Sequence, residues 1–252
     1  MVKTGVAFGA MGALGGCSLK DGPTSPGSSG TGSRLNFVPP PGGPTKTVAK
    51  GTVGLGIGDS NRDAILYLPQ SYDPAKPIPL TVLLHGAGGS AEAFYPDYVA
   101  TADSLGMALL AIDSYAYTWD AILGEFGNDV TFIKGALDWT FDRVNVDRAH
   151  FSLYGFSDGA TYSLALGRAN GDVFRKLGAA SPGFLLPHGV VGVPPIFITH
   201  GTNDTVLPID MCSRKIVPQL RSDGYDVTYK EFAGGHTVLG TLRLEMFTWF
   251  AA

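Results

Sequence analysis

Five residues, Gly155-Phe156-Ser157-Asp158-Gly159, carry the strongest chemical signal in the chain. An apolar run, Phe151 to Tyr154, precedes them and a helix-forming run, Ala160 to Ala169, follows. A serine between two glycines in that setting sits on a sharp strand-to-helix turn. A Cβ at either flanking position would crowd neighbouring backbone, which is the steric reason for the glycines. Such a turn presents the hydroxyl as a nucleophile. It also aims the first N–H groups of the following helix at developing negative charge. The hydroxyl needs a base to become reactive, and the base needs an acid to orient it.

Three further glycine-marked turns supply candidates for those parts. His85-Gly86-Ala87-Gly88-Gly89-Ser90 follows the apolar run Leu80 to Leu84. Its glycines let backbone approach a ligand, so the Ala87 N–H, paired with that of Asp158, can form an oxyanion hole. A phosphate loop is disfavoured there because no Gly-Lys-Ser/Thr follows. His200-Gly201-Thr202-Asn203-Asp204-Thr205-Val206-Leu207-Pro208 follows the run Ile196 to Thr199 and offers Asp204 as the acid. Gly234-Gly235-His236 follows the run Val227 to Phe232 and offers His236 as the base. Each alone has a bland reading: an Asx turn for Asp204, a surface loop for His236. Together they give serine, acid and histidine in the order Ser157, Asp204, His236, each after a separate strand. The other histidines fit less well. His85 and His200 precede glycines at strand ends and are expected to shape turns; His150 opens a strand, and His188 lies in a Pro-Gly loop. Asp113 ends a strand but precedes the serine, which makes it a poor triad acid.

The elements that must position these turns alternate between short apolar runs and helical patterns. Val53 to Ile57 and Ala64 to Leu68 read as an opening pair of strands, and Leu80 to Leu84 and Met107 to Ile112 as buried strands. Ala91 to Leu105 reads as one helix. Over 129–144 the residues Val130, Ile133, Leu137, Phe141 and Val144 form one apolar helical face, with Asn128 or Asp129 as N-cap. A strand ends near Ala180, a helix covers Asp210 to Arg221, and an amphipathic helix closes the chain over Leu239 to Phe250. Gly240 falls inside that last helix without an evident reason. Alternating strands and helices predict a mostly parallel sheet covered by helices on both faces, with function collecting at the carboxyl ends of the strands.

From residue 46 to the end the chain resembles an α/β-hydrolase, and within that fold the phospholipase/carboxylesterase and polyhydroxybutyrate-depolymerase/feruloyl-esterase-like serine esterases. HGAGGS, GFSDGA, HGTNDTVLP and GGH stand where those families carry oxyanion loop, nucleophile, acid and base. Asn128-Asp129-Val130 is similar to the depolymerase-like group. Asp158-Gly159-Ala160 replaces the more usual Gln-Gly-Gly or Ala-Gly-Gly, which leaves the subfamily and the substrate open. The resemblance implies ester hydrolysis through an acyl-enzyme, with short-chain, aromatic or polyester-type substrates all possible and no cofactor or metal. A serine peptidase or acyltransferase would use the same triad, and a non-catalytic binding module could keep the scaffold. Relatives often insert a cap domain between the strand ending near Ala180 and the next. Here only Ser181 to Pro195 lies between, so no large cap domain and an open site are expected. Candidate walls are Phe156, Trp119, Tyr115, Tyr117, Phe184, Leu185, Val206 and Leu207. Each aromatic could equally be core or surface packing.

Composition narrows the classes. Of 252 residues, 44% are hydrophobic and only 16% charged, so a packed core is affordable in chain entropy. A net charge of −4 without a basic stripe argues against a nucleic-acid partner. There are 35 glycines without a Gly-X-Y period, and 11 of them fall in residues 1–45. That N-terminus starts with one lysine, continues small and apolar, and reaches Leu14-Gly15-Gly16-Cys17-Ser18. It reads as an export signal over 1–17, and Cys17 resembles the lipidated cysteine of a bacterial lipoprotein. Membrane contact is expected only through that anchor, at a bacterial cell envelope, or else secretion. Residues 22–45 hold 19 Gly, Pro, Ser or Thr among 24, so 18–45 is expected to be a flexible tether before a catalytic domain over 46–252. Cys212, spaced four residues from Ile216, is expected to be a buried small apolar residue.

Overall fold

The computed structural model describes residues 31–59 and 62–252. The export signal over 1–17, the Cys17 lipidation and the first part of the tether lie outside the described residues. In chain order the elements are β1 (Gly51–Gly54), β2 (Ala64–Leu68), β3 (Ile78–Leu84), α1 (Ala91–Phe94), α2 (Pro96–Leu105), β4 (Ala108–Ile112), α3 (Asp120–Leu123), α4 (Asn128–Phe141), β5 (Val146–Phe156), α5 (Asp158–Ala169), β6 (Lys176–Ala180), β7 (Ile196–Gly201), α6 (Ser213–Ser222), β8 (Val227–Phe232) and α7 (Gly240–Ala251).

Among the described residues the strands form one eight-stranded sheet, ordered β1-β2-β4-β3-β5-β6-β7-β8. β1 and β2 enter antiparallel, and every pairing from β4 to β8 is parallel. The strands are apolar on both sides because helices cover both faces. On one face Leu80, Val82, Leu84 and Leu153 pack against α4, α5 and α6 through Ile133, Leu137, Leu164, Leu166 and Leu220. On the other, Leu83, Leu109 and Tyr154 pack against α2 and α7 through Tyr98, Phe247 and Phe250. Ile133 and Leu137, both fully buried, each contribute about 1.5–3 kcal/mol by leaving water. The predicted apolar stripe of α4 is thus its core face.

Three expectations are corrected. The single helix over Ala91 to Leu105 is two helices, because Pro96 takes the first position of α2 and Tyr95 caps both. Gly240 opens α7 rather than interrupting it. The tether ends earlier than 45. Leu35 and Phe37 are buried, and Phe37 meets Phe141 edge-on at 4.8 Å. Arg34 pairs with Asp172 at 2.7 Å, and Asn170 bonds the backbone on both sides, accepting from Leu35 N–H and donating to the Ser33 carbonyl. Two apolar side chains in an otherwise Gly/Pro/Ser stretch are enough to dock it across the ends of α4 and α5. Residues 181–195 contain no helix or strand, as the absence of a cap domain requires. No described helix is long and apolar enough to cross a membrane.

Candidate active site

The four turns converge at the carboxyl edge of the sheet. Ser157, between β5 and α5, has φ 56° and ψ −121°, a left-handed conformation that L-residues rarely adopt. Its N–H donates to the Ala180 carbonyl at the end of β6, which holds the strained turn in place. The flanking glycines are required by contact. A Cβ on Gly155 would fall 2.0 Å from the Gly159 carbonyl oxygen, and one on Gly159 would fall 2.2 Å from that of Leu84.

Ser157 Oγ lies 2.9 Å from His236 Nε2, and His236 Nδ1 lies 2.7 Å from Asp204 Oδ2. A carboxylate only accepts, so Nδ1 carries the proton and Nε2 is left to accept from the serine hydroxyl. Asp204 Oδ1 is occupied too, accepting from Val206 and Leu207 N–H at 2.9 and 2.8 Å. Burial pushes the Asp204 carboxyl up, but the Leu207 N–H, His236 and the Val206 N–H outweigh it and hold the group below its ordinary value. Asp204 therefore stays ionised beside the imidazole. Phe156, the residue before Ser157, packs against that ring, centroids 4.9 Å apart.

The loop after β3 lies alongside. Gly86 approaches so closely that a Cβ there would be 3.2 Å from Ser157 Cβ. Gly88 N–H donates to the Tyr117 carbonyl at 2.7 Å, and Gly89 N–H to that of Gly86. Ala87 lies between, on the exposed side of the loop. Asp158 is the first residue of α5, where a backbone N–H has no acceptor within the helix.

His85 and His200 are structural. His85 Nδ1 donates to the Gly86 carbonyl and Nε2 accepts from Ser114 N–H, so the ring must be neutral to make both bonds. Burial lowers its proton affinity accordingly. His200 Nε2 donates to the Leu207 carbonyl and Nδ1 faces the Ser213 hydroxyl, bracing the acid loop from below; burial lowers its proton affinity as well. Asp113 accepts from Ala91 and Asp63 N–H and ties the start of α1 to β2. Cys212 is fully buried.

Of the expected walls, Trp119 is corrected. It is fully buried, stacked on Tyr162 at 5.0 Å, with its indole N–H donating to the His85 carbonyl at 2.9 Å. It supports the loop after β3 from behind and offers substrate no surface. Tyr117 is 75% exposed, and its ring lies against Gly88, where a Cβ would come within 2.7 Å of it. Tyr115 is exposed beside the Arg62 guanidinium, which lies 5.3 Å from its ring centroid. Val206 is exposed next to the acid. Leu207 is half-buried and reaches toward Gly183. Phe184 and Leu185 are half-buried in the loop after β6.

The sequence offered Asn128 or Asp129 only as the N-cap of α4; Gly127 takes that position, and Asp129 has another role. It is fully buried and collects three donors, Arg62 Nη2 at 2.7 Å, Tyr115 N–H at 2.6 Å and Asp120 N–H at 2.7 Å. Burial raises its carboxyl to about 6. A carboxylate on the first turn of a helix reads as an ordinary cap, and nothing local marks it as a hub.

The fold is similar to that of known structures. Over 81% of this chain and 100% of the other, it superposes on a fluorophosphonate-binding serine hydrolase of Staphylococcus aureus with a TM-score of 0.65 at 16% identity. Over 81% and 89% it superposes on a ferulic acid esterase of Anaeromyces mucronatus with a TM-score of 0.62 at 18% identity. This is the α/β-hydrolase fold. Within it, Ser157, Asp204 and His236 occupy the ends of β5, β7 and β8. In sequence the chain is 32% identical to feruloyl esterase C of Emericella nidulans over 168 residues, which is 63% of this chain and 61% of that one. The chain thus spans about three fifths of the length of that relative. No family model matches it.

Proposed function

We propose that this α/β-hydrolase chain is a serine carboxylesterase. The observation that carries the reading is the unbroken hydrogen-bonded chain from Ser157 Oγ through His236 to Asp204. Ser157 Oγ bonds to the carbonyl carbon of an ester while its proton passes to His236 Nε2. The carbonyl oxygen becomes an oxyanion that the Ala87 and Asp158 N–H groups hold, each worth about 3 kcal/mol in the transition state. The C–O bond to the alcohol breaks, and the alcohol leaves with the proton from His236. Water then attacks the acyl-serine by the same route, which releases the acid and restores Ser157. Asp204 keeps the imidazole in the productive tautomer throughout.

Esters of aromatic acids are the proposed substrate class. The name of the Emericella nidulans relative supports it, and so do the aromatic rings of Tyr117, against Gly88, and Phe156, against Gly86 and His236. Phe156, Tyr115, Tyr117, Val206 and Leu207 are the proposed substrate contacts. An open site is part of this reading, since 181–195 holds no helix or strand that would build a cap. Initial rates on methyl ferulate, p-nitrophenyl esters of graded length and a polyester test the reading. Activity on all three that survives Ser157→Ala would overturn it. A preference for short acyl esters over methyl ferulate would overturn the aromatic class alone.

A further inference from the structure

Residues 117, 118 and 119 touch both halves of the oxyanion site in alternation. The Tyr117 carbonyl accepts from Gly88 N–H at 2.7 Å, next to Ala87. The Trp119 indole donates to the His85 carbonyl at 2.9 Å, on the other side of Ala87. Between them the buried Thr118 hydroxyl donates to Asp158 Oδ2 at 2.6 Å. The segment therefore bonds to the loop that bears one donor and to the residue that bears the other. Its own ends are fixed by one carboxylate, since Asp129 accepts from Tyr115 N–H and from Asp120 N–H. Arg62, itself buried, supplies the opposing charge at 2.7 Å.

We propose that the 115–120 segment is a clamp that sets the separation of the Ala87 and Asp158 N–H groups, with Thr118, Asp129 and the side chain of Asp158 as its positioning residues. The clamp gives Asp158 a function in this chain. Its N–H serves the oxyanion whatever its side chain, but an acceptor at that position is what lets Thr118 reach the elbow. A glutamine or alanine there would not present the same charged acceptor at this distance. Asp129 is the anchor at the other end. Its three partners are all donors, so it acts as an acceptor that cannot be exchanged for an amide without facing N–H to N–H.

The proposal rests on the esterase reading, and its test separates the two. Wild type, Thr118→Val and Thr118→Ser are compared on p-nitrophenyl benzoate and on its thiono analogue. The sulfur of a thionoester is a longer-bonded, weaker hydrogen-bond acceptor, so its hydrolysis draws less on the oxyanion donors. Thr118→Val is expected to lower the oxo-ester kcat about tenfold, a fraction of the ~100-fold that a misplacement of ~1 Å can cost. The thiono rate is expected to change far less, so the oxo-to-thiono ratio falls. Thr118→Ser restores the hydroxyl and the ratio. Asp158→Ala, which keeps the backbone N–H, is the second variant should Thr118→Val fold poorly, and is expected to move the ratio in the same direction. An unchanged ratio in a folded variant, or a parallel loss on both esters, overturns the clamp while leaving the esterase reading intact. A wild-type chain that hydrolyses neither ester overturns both.

Discussion

Asp204→Asn is the substitution whose effect follows most closely from the geometry. The carboxylate makes two separable sets of bonds. Oδ1 accepts from Val206 and Leu207 N–H, and Oδ2 accepts from His236 Nδ1 and also lies 3.3 Å from the buried His200 Nε2. Asparagine keeps one oxygen, and the two backbone donors hold it at the Oδ1 position. The amide NH2 then faces Nδ1, which must become an acceptor, so the ring proton moves to Nε2. That places a donor against Ser157 Oγ, at the 2.9 Å contact where the base must accept. The base is lost by tautomer, with the fold unaltered. A loss of this kind is worth about 10⁴ in kcat. At ~1.36 kcal/mol per decade, that is about 5.4 kcal/mol of transition-state stabilisation. The Oδ1 bonds survive and His200 Nε2 keeps the Leu207 carbonyl as its acceptor, so Tm is expected to move by only about 4 °C, roughly 1 kcal/mol for a chain of this size. The assay is kcat on p-nitrophenyl acetate at neutral pH beside thermal unfolding. Asp113→Asn is the comparison, since Asp113 holds two backbone N–H groups away from the serine. It should cost about 1–3 kcal/mol of stability and little rate. Asp204→Asn retaining a tenth of wild-type kcat with an unchanged Tm would refute the assignment of Asp204 as the orienting acid.

Other outcomes follow from the same contacts. Gly159→Ala should give insoluble or inactive protein, because its Cβ meets the Leu84 carbonyl at 2.2 Å, and soluble protein with wild-type Tm would contradict the elbow packing. His85 and His200 are buried with lowered proton affinity, so the unfolded chain takes up their protons first. Stability is therefore expected to fall as pH drops below the ordinary imidazole value of about 6.5, a slope that a Tm series from neutral to mildly acid pH reads and that His85→Gln should reduce. Tyr117→Ala should raise KM for methyl ferulate while leaving p-nitrophenyl acetate kinetics near wild type; equal effects on both would remove Tyr117 from the substrate contacts. In a bacterial host, Cys17→Ser should abolish incorporation of labelled fatty acid into the chain, and no incorporation into the unsubstituted chain would dispose of the lipid-anchor expectation.

The candidate site was legible because its parts are steric and local. Gly155 and Gly159 flank a serine that only a glycine-bordered turn can present, and the contacts that exclude a Cβ are backbone atoms of adjoining elements. The strand cores were legible for a similar reason, since Leu80, Val82 and Leu84 lie under helices whichever way the chain returns. What sequence hid depends on contacts between distant segments. Trp119 looked like a wall because it follows a strand end among tyrosines. Its indole bond to His85, 34 residues away in sequence, decides that it faces inward. Asp129 carries no local mark because its donors come from two other segments, Arg62 and the 115–120 stretch. Leu35 and Phe37 were masked by the composition around them, although their burial, Phe37 against Phe141, is ordinary hydrophobic packing.

The central claim is that Ser157 is the nucleophile, and covalent labelling tests it most directly. The purified chain would be treated with a fluorophosphonate and digested, and the modified residue located by mass spectrometry. The account predicts a single phosphonylated site on the peptide bearing Ser157, lost in Ser157→Ala and strongly slowed in His236→Ala. Folded protein that takes up no label, or takes it up equally after Ser157→Ala, would contradict it.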